Sequence, residues 1–297
     1  MMSLRCAIIF TLFLPAMLVA EDKYTVKLKR SAQGDVAMHT REQSKKEAIT
    51  ITGPDGNVLQ EKTQTAVEVS KFRQEIIEKS AGQHPTKVKR AYSEATRKTE
   101  DELQKHAYHG KEVLIEKKGS DYTFSIDGKA LTKAEAGDLP SAFNSTKISD
   151  EEADKAMLPA KPVAVNEAWT IDAKKLMKGF GEEEKVAKMF DLDKAKASGK
   201  LTKAYKKDGQ QHGVVVFEIS VPMKSLEGVH PCRDGAKLDL SITLEGCIDG
   251  SAEPTSANMQ MKIGGIADVV EDGKQTGATI KFDVSSVDKG TTTPVKK

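Results

Sequence analysis

The chain has 297 residues, of which 38% are hydrophobic, 30% charged and only 5% aromatic. This length suffices for one large or two ordinary domains with packed cores, and the scarcity of aromatic side chains disfavours a large aromatic-lined pocket. The formal net charge of +2 excludes a strong positive field that would recruit nucleic acid or anionic lipid, and the many lysines are interleaved with acidic residues as on a solvated face.

The first twenty residues have the pattern of a secretory signal peptide. Arg5 precedes an apolar run from Cys6 to Val19, and Ala20 is followed by two acidic residues. The run is short for a membrane span, and no second apolar run of about 18 residues follows it. We therefore expect residues 1–20 to be removed, which leaves a periplasmic or extracellular protein with no transmembrane anchor. A retained anchor stays an alternative.

Residues 21–156 are predicted to form an N-terminal β-rich lobe. Apolar and polar side chains alternate in residues 23–29, which indicates a half-buried strand, and segments 35–40 and 48–52 have the same character. A hairpin is predicted around Gly119, because apolar residues alternate on both sides of it.

Two segments of this lobe fit more than one structure. Residues 65–81 show both strand and helix periodicity, and we interpret them as a long strand with a bulge that pairs with residues 87–92. Residues 96–107 fit either a strand edge or a short helix.

Asp-Gly dipeptides recur six times in the chain and favour two-residue hairpin turns, because both residue types tolerate positive φ. Their flanking sequences mostly alternate, which predicts an antiparallel meander. The acidic turns lack the spacing of a calcium-binding loop, so hairpin turns are the better interpretation. The dipeptides are Asp55-Gly56, Asp127-Gly128, Asp208-Gly209, Asp234-Gly235, Asp249-Gly250 and Asp272-Gly273.

Helices are predicted on both sides of a proline-containing crossing segment, residues 157–170. Thr132 with Glu135 and Ser149 with Glu152 fit the capping box. After the crossing, an Asp172-capped helix and a second short helix are expected, with Gly181 ending the first. Asn144-Ser145-Thr146 is an N-glycosylation sequon, relevant only in a host with that machinery.

Trp169, the only tryptophan, can be read as a core anchor at the lobe junction or as a stacking platform for a ligand. We favour the anchor, because nothing around it is ligand-like.

A C-terminal β-rich lobe is predicted for residues 157–289. Apolar residues alternate with polar ones in segments 213–221, 237–244, 259–263 and 280–284, as in strands with one buried and one wet face. Residues 290–297 are predicted to be a disordered tail.

The fold class expected from these patterns is mainly β (α+β). We predict curved antiparallel sheets of long hairpin-connected strands in two lobes, with a few short helices covering or plugging their concave faces.

No catalytic or cofactor motif is present in the sequence. The G-x-S-x-G and H-E-x-x-H patterns are missing, and none of the six histidines lies in a recognisable catalytic context. His106 and His109 have helical metal-ligand spacing, but no third ligand of the right type is near them in sequence, so surface histidines are the simpler interpretation. We therefore predict no enzyme activity, no cofactor and no metal.

Cys232 and Cys247 remain after signal-peptide removal, and two thiols in an exported chain usually pair. A disulfide is the prediction. It requires a bend or bulge in the strand expected at 237–245, because a straight strand would hold the two Cα atoms too far apart.

Four phrases carry a resemblance to known proteins: KVKRAY (87–92), FSIDGKAL (124–131), MLPAKPVAVNEAW (157–169) and GKLTKAYKKDGQQHG (199–213). Together they resemble a family of uncharacterised exported bacterial β-rich proteins. More distantly, the layout of strands and helices looks like the half-barrel fold of periplasmic lipoprotein carriers. That resemblance implies a curved sheet around a helix-plugged apolar concavity, but it transfers no functional residue.

Two functions are compatible with these features. The first is a non-catalytic envelope protein that binds or carries a lipid or other amphiphile in a sheet concavity. The second is a structural or interaction module with a filled core, whose partner is an envelope protein. Adaptable methionines favour the first: Met177, Met189, Met259 and Met261.

Overall fold

The computed structural model of the protein describes residues 22–144, 148–179 and 183–295. Strands account for 60% of the structure and helices for 11%, so the fold is mainly β, as predicted. The signal-peptide prediction, Ser145 and Thr146 of the sequon, and Gly181 lie outside the described residues.

Strands and helices follow one another along the described parts of the chain with few long connections. The strands are β1 (Lys23–Tyr24), β2 (Val36–Thr52), β3 (Val58–Glu78), β4 (Lys87–Thr99), β5 (Leu103–Lys105), β6 (Glu112–Lys118), β7 (Asp121–Ile126), β8 (Lys129–Ala130), β9 (Val163–Ala164), β10 (Ala168–Thr170), β11 (Lys196–Lys207), β12 (Gln210–Pro222), β13 (Ser225–Leu226), β14 (His230–Pro231), β15 (Lys237–Cys247), β16 (Pro254–Glu271) and β17 (Lys274–Pro294). The helices are α1 (Lys133–Ala136), α2 (Leu139–Asn144), α3 (Asp150–Met157), α4 (Ala173–Gly179) and α5 (Glu183–Met189). No helix within the described ranges is long and apolar enough to span a membrane.

Of the described strands, thirteen form one antiparallel sheet in the order β10-β11-β12-β15-β16-β17-β2-β3-β4-β6-β7-β8, with β5 beside β4. At its centre, β17 pairs with β2 from Thr279 opposite Thr52 to Pro294 opposite Ala37. The last strand of the chain thus lies beside its first long strand, and a single sheet runs through both predicted lobes.

Three of the Asp-Gly dipeptides form two-residue hairpin turns with both residues at positive φ. In Asp127-Gly128, Asp208-Gly209 and Asp272-Gly273, φ lies between 50° and 79°. Such turns match the right-handed twist of the strands they join, which fixes the register of these hairpins. In the other three dipeptides only the glycine has positive φ.

The larger of two hydrophobic cores lies on the C-terminal part of the sheet. It is built from alternating residues of β12 and β15, of which Val215, Phe217 and Val221 are fully buried. Helices α3, α4 and α5 contribute to it, with Leu176 and Met177 of α4 buried.

The smaller core lies on β3, β4, β6 and β7, under α1 and α2. Ile76, Val88 and Ile115 form its sheet side, and Leu139 of α2 and Tyr108 are buried against them. The strand register places both cores on the same face of the sheet.

The sequence-predicted helix caps are confirmed. In both capping boxes the side-chain hydroxyl accepts the N3 backbone N–H while the glutamate carboxylate accepts the N-cap N–H, and the aspartate cap of α4 accepts one backbone N–H at 2.9 Å. The pairs are Thr132 with Glu135, Ser149 with Glu152 and Asp172 with Lys175.

The crossing segment is extended, as its prolines dictate. Helix α3 ends at Met157, and Leu158 adopts φ −88° and ψ 152°. Trp169 is half-buried against the larger core, and its Nε1 donates a hydrogen bond to the Met157 carbonyl at 2.7 Å. A Cβ at Gly199 would lie 2.3 Å from the indole, so only glycine leaves room for the ring. Trp169 therefore occupies the anchoring position predicted for it.

Both ambiguous segments are strands. Residues 65–81 lie mostly in β3, a strand of 21 residues with two register shifts against β4, which confirms the bulged strand. Residues 96–107 include the end of β4 and the short β5, which pairs with it.

Three strand boundaries were predicted wrongly. Segments 35–40 and 48–52 belong to one continuous strand, β2, and only Lys23–Tyr24 of the predicted first strand has strand geometry. Residues 290–294 are not a disordered tail but the paired end of β17. In β2 and at the end of β17, polar sequence hid the strand, because backbone pairing does not require an apolar pattern. At the first strand, by contrast, the alternating sequence mostly did not form a strand.

Candidate functional site

A cleft of about 370 Å³ lies on the core-bearing face of the sheet, between the two cores. Its floor follows one row of paired residues: Leu244, Ala257, Gly290 and Arg41 lie opposite one another on β15, β16, β17 and β2. The floor is recessed because the middle two residues, Ala257 and Gly290, are small. We call this feature the central cleft; it is lined by residues 28–31, 39–41, 72, 244, 253–254, 256–257, 288 and 290–292.

The walls of the central cleft are largely apolar. Phe72 is buried, and Leu28 and Leu244 are half-buried. Leu28 is held in place by the residues before it, since Val26 is buried in the larger core and Lys27 N–H donates to the Ile248 carbonyl at 2.7 Å. The N-terminal segment therefore closes one side of the cleft.

Arg41 is the main charge at the floor, and its charge is already balanced. Its Nε and Nη2 donate to the Asp288 carboxylate at distances of 2.5 to 3.0 Å, and Nη1 lies 3.8 Å from the Asp138 carboxylate. Burial alone would lower the pKa of Arg41, but the hydrogen bonds and charge of Asp288 raise it above its ordinary value. A bidentate pair of this kind leaves the Arg41 guanidinium itself unavailable to an anionic head group.

His39 borders the cleft as a neutral side chain. Its ring stacks on Phe72 with centroids 5.1 Å apart, and Nδ1 lies 3.2 Å from Thr292 Oγ1. Burial, and then the positive charge of Arg90, lower the pKa of His39 to about 4. Nε2 is buried and has no hydrogen-bond partner within the described part of the chain, so a polar group entering the cleft could satisfy it.

This lowered pKa predicts a loss of stability in mild acid. Because the unfolded chain binds the His39 proton near pH 6.5 and the folded chain only near pH 4, the free energy of unfolding should fall as pH drops between these values. The shift corresponds to roughly 3 kcal/mol, and we expect about 2 kcal/mol because solvent reaches part of the ring.

Urea unfolding of wild type and His39→Gln at pH 7.0, 5.5 and 4.5 measures this effect. Other titrating groups are common to both proteins and cancel in the difference. Parallel stability curves for the two proteins would contradict the prediction.

Two further grooves are larger than the central cleft, and polar or charged side chains make up most of the lining of both. One, of about 490 Å³, is lined chiefly by polar side chains of the opposite sheet face, such as Ser220, which donates to Asp239 at 2.6 Å. The other, of about 610 Å³, adjoins the central cleft at Arg30 and Ser31 and contains the ion pair between Asp150 and Lys79, the residue after β3.

The predicted disulfide is wrong, because Cys232 and Cys247 are both free. Strand β15 is continuous up to Cys247, which pairs with His212. Cys232 instead forms an isolated antiparallel backbone pair with Ala267 on β16, beyond the opposite end of β15. At about 3.3 Å per residue, the strand alone spans roughly 30 Å, and Cys232 lies beyond its far end. The register shift between Glu245 and Gly246 does not bring the two thiols together.

The four methionines lie in the larger core rather than in the cleft. Met177 is buried and the other three pack against the same core, so they do not form an adaptable groove lining as expected. Of the sequon, Asn144 is described, and its Oδ1 accepts the Tyr122 backbone N–H at 2.9 Å.

His106 and His109 lie in the turn between β5 and β6, not on a helix. Both are half-buried. His109 Nδ1 accepts the backbone N–H of Ala95 at 3.1 Å, whereas His106 lies near Glu68 and Asp138. This second grouping is invisible in the sequence, because its members are 32 or more positions apart.

Comparisons with known proteins give no relative from which function can be transferred. No family model and no curated protein matches the chain. Weak structural likenesses include an outer membrane channel from Pseudomonas putida F1, at 6% identity and TM-score 0.20 over 90% of this chain and 98% of the channel. DynF of Micromonospora chersina has 7% sequence identity and a TM-score of 0.15, over 92% of this chain and 91% of DynF. OpdQ of Pseudomonas aeruginosa has 9% identity and a TM-score of 0.18, over 89% of this chain and 98% of OpdQ. At these TM-scores the likenesses carry no argument.

Proposed function

We propose that the protein is an exported, non-catalytic envelope protein whose central cleft binds the apolar group of a lipid-like ligand. The observation that carries this proposal is an apolar-walled cleft on the sheet face between two cores that are filled by their own side chains. Its volume of about 370 Å³ is in the lower part of the range for small-molecule sites.

Charge balance favours an apolar or weakly polar ligand over an acidic one. Arg41 is matched by Asp288 at the floor, and His39 is neutral. Arg41 could take an anion only by breaking its bidentate pair, which costs more than a single hydrogen bond to Nε2 of His39 returns. The resemblance of the sequence layout to periplasmic lipoprotein carriers, which implies an apolar concavity, is consistent with this proposal.

The alternative is a structural or interaction module without a small ligand. It is favoured by the same two filled cores, because most apolar side chains of the sheet already have partners in the chain. The two functions differ in whether the central cleft is ever occupied.

Filling the cleft from its floor distinguishes them. A Cβ added at Gly290 would contact only the Thr40 carbonyl oxygen, at 3.8 Å, so a larger side chain fits the backbone and projects into the cleft. We expect Gly290→Leu to bind a pyrene-labelled dodecanoic acid and its methyl ester at least about tenfold more weakly than wild type, because the leucine occupies the ligand's place.

The matched control is Gly264→Leu, which places the same side chain on the opposite face of the sheet, where a Cβ would lie 3.4 Å from the Phe282 carbonyl. It should bind the probes as wild type does. Equal affinity in wild type and Gly290→Leu would remove the cleft from the proposal. Absence of probe binding, with only bare protein in native mass spectrometry, would favour the interaction module.

A further inference from the structure

We infer that Glu68, His106 and Asp138 form a binding site for a divalent transition-metal cation, with Zn²⁺ the best match. Each residue offers one donor atom, and these atoms all lie within 4.8 Å of one another. Zinc bonds of about 2.0–2.2 Å at tetrahedral angles hold donor atoms about 3.4 Å apart, so binding requires pairs of donors to approach each other by at most about 1.4 Å. This inference does not rest on the proposed lipid-binding function.

The three ligands come from separate parts of the fold. Glu68 is on β3 and faces the same side of the sheet as the cores, His106 precedes the turn after β5, and Asp138 lies between α1 and α2. The smaller core fixes all three positions, because strand, turn and helices pack together there. A site assembled by a packed core is pre-organised for an ion.

Tyr108 orients two of the three ligands. Its hydroxyl donates a hydrogen bond to Asp138 Oδ1, and its ring stacks on that of His106 with centroids 5.0 Å apart. Tyr108 is itself 2% exposed, so it cannot easily move. Partners of this kind hold metal ligands in place in known sites.

His106 is placed so that it can ligate. Neither ring nitrogen has a hydrogen-bond partner among the residues that the structure describes. A Cβ at position 137 would lie 2.9 Å from His106 Nδ1, so Gly137, at φ 55°, leaves the room that the imidazole occupies beside Asp138.

Two arginines compete for the carboxylates but do not neutralise the site. Arg41 is 3.8 Å from Asp138, yet its stronger partner is Asp288 at 2.5 Å. Arg97 is 3.8 Å from Glu68, and its side chain is 50% exposed, so this pairing is weak. The carboxylates of Glu68, Asp138 and Asp288 outnumber the two arginines by one, which leaves one net negative charge for the cation.

The ligand types select the metal. One imidazole and two carboxylates suit Zn²⁺ and its neighbours in the first transition row, whereas Ca²⁺ and Mg²⁺ prefer oxygen ligands alone. Three protein ligands leave at least one position open to water.

Calorimetric titration of the chelator-treated, tag-free protein with ZnCl₂ tests the site. We expect one ion per chain, and a loss of affinity of at least about 100-fold in His106→Ala, because a direct ligand matters more than an outer partner. Tyr108→Phe keeps the ring but loses the hydrogen bond, and should weaken binding by about tenfold.

His109→Asn is the matched control, since it changes a histidine three positions away that contacts only the Ala95 backbone. It should bind Zn²⁺ as wild type does. Visible absorption of the Co²⁺ form should be strong in wild type and His109→Asn and lost in His106→Ala, which reports the ligand set independently of affinity. No saturable binding by wild type, or unchanged binding and spectra in His106→Ala, would overturn the inference.

Discussion

Replacing Phe217 by alanine is expected to lower the free energy of unfolding by about 4 kcal/mol. The side chain is fully buried in β12, at the centre of the larger core. It lies opposite Gly199 on one neighbouring strand and Ile242 on the other. Its ring and the Trp169 indole pack edge to face, with their centroids 6.3 Å apart. Because strands on both sides are hydrogen-bonded in register, the space left by the ring cannot collapse.

Urea unfolding at neutral pH measures this loss, and Val216→Ala is the matched control. Val216 is the preceding residue of the same strand, lies on the opposite face and is half-buried. We expect a loss of about 1 kcal/mol or less for Val216→Ala. Equal losses in the two variants would show that the larger core is not the main source of stability.

The larger core is also the part of the fold that the sequence predicts best. In β12, Val215, Phe217, Ile219 and Val221 alternate with less buried residues, because one face is packed and the other is wet. Such alternation specifies both the strand and its buried face. The helix caps are equally predictable, because a capping box is a local interaction.

The middle of the sheet could not be predicted in this way. Residues 41–47 of β2 are all polar or charged, yet they pair with β17 on one side and β3 on the other. Their backbone hydrogen bonds need no apolar pattern, and pairs such as Arg41 with Asp288 form only after the strands have met. The β2–β17 pairing joins segments more than 200 residues apart, and no local signal encodes it.

Both candidate sites depend on this long-range pairing. The central cleft exists because Ala257 and Gly290, small residues on adjacent strands, come side by side. The inferred cation site unites Glu68 with residues that are 38 and 70 positions later in the chain. In the sequence His106 stands out only through its spacing from His109, because without a fold only nearby positions can be related to one another.

Asp150→Ala is expected to cost about 4 kcal/mol of unfolding free energy, because it leaves a buried lysine without its partner. Lys79 Nζ lies 2.7 Å from the Asp150 carboxylate, and the two side chains are only 6% and 12% exposed. The other carboxylate oxygen lies 2.8 Å from His84 Nδ1. Asp150 also begins helix α3, so its loss removes a favourable charge from the helix N-terminus.

Helix α3 supplies a matched control four residues later. Asp154 pairs with Arg30 at 2.5 Å, a shorter distance than in the Asp150 pair, but the arginine side chain is 42% exposed. Solvent screening limits such a pair to at most about 1 kcal/mol, so Asp154→Ala should be nearly neutral. Urea unfolding at pH 6 compares the two variants. Similar losses of unfolding free energy in the two variants would mean that burial does not decide the strength of these pairs.

The pH dependence of the Asp150→Ala loss should have a maximum. Burial opposes ionisation of Asp150, but hydrogen bonds from His84 and Lys79 lower its pKa to about 2, so its contribution is present above pH 3.8 and is lost as pH falls towards 2. The hydrogen bond to Asp150 raises the pKa of His84 above 6.5, so that contribution is complete below pH 6.5 and is lost as pH rises through the higher value. The difference between wild type and Asp150→Ala should therefore be largest between about pH 4 and 6.5 and decline on both sides.

In the double variant His84→Gln/Asp150→Ala, compared with His84→Gln alone, the decline at high pH should disappear and the decline in acid should remain. A loss that does not vary from pH 3 to pH 8 would show that neither group titrates through this contact.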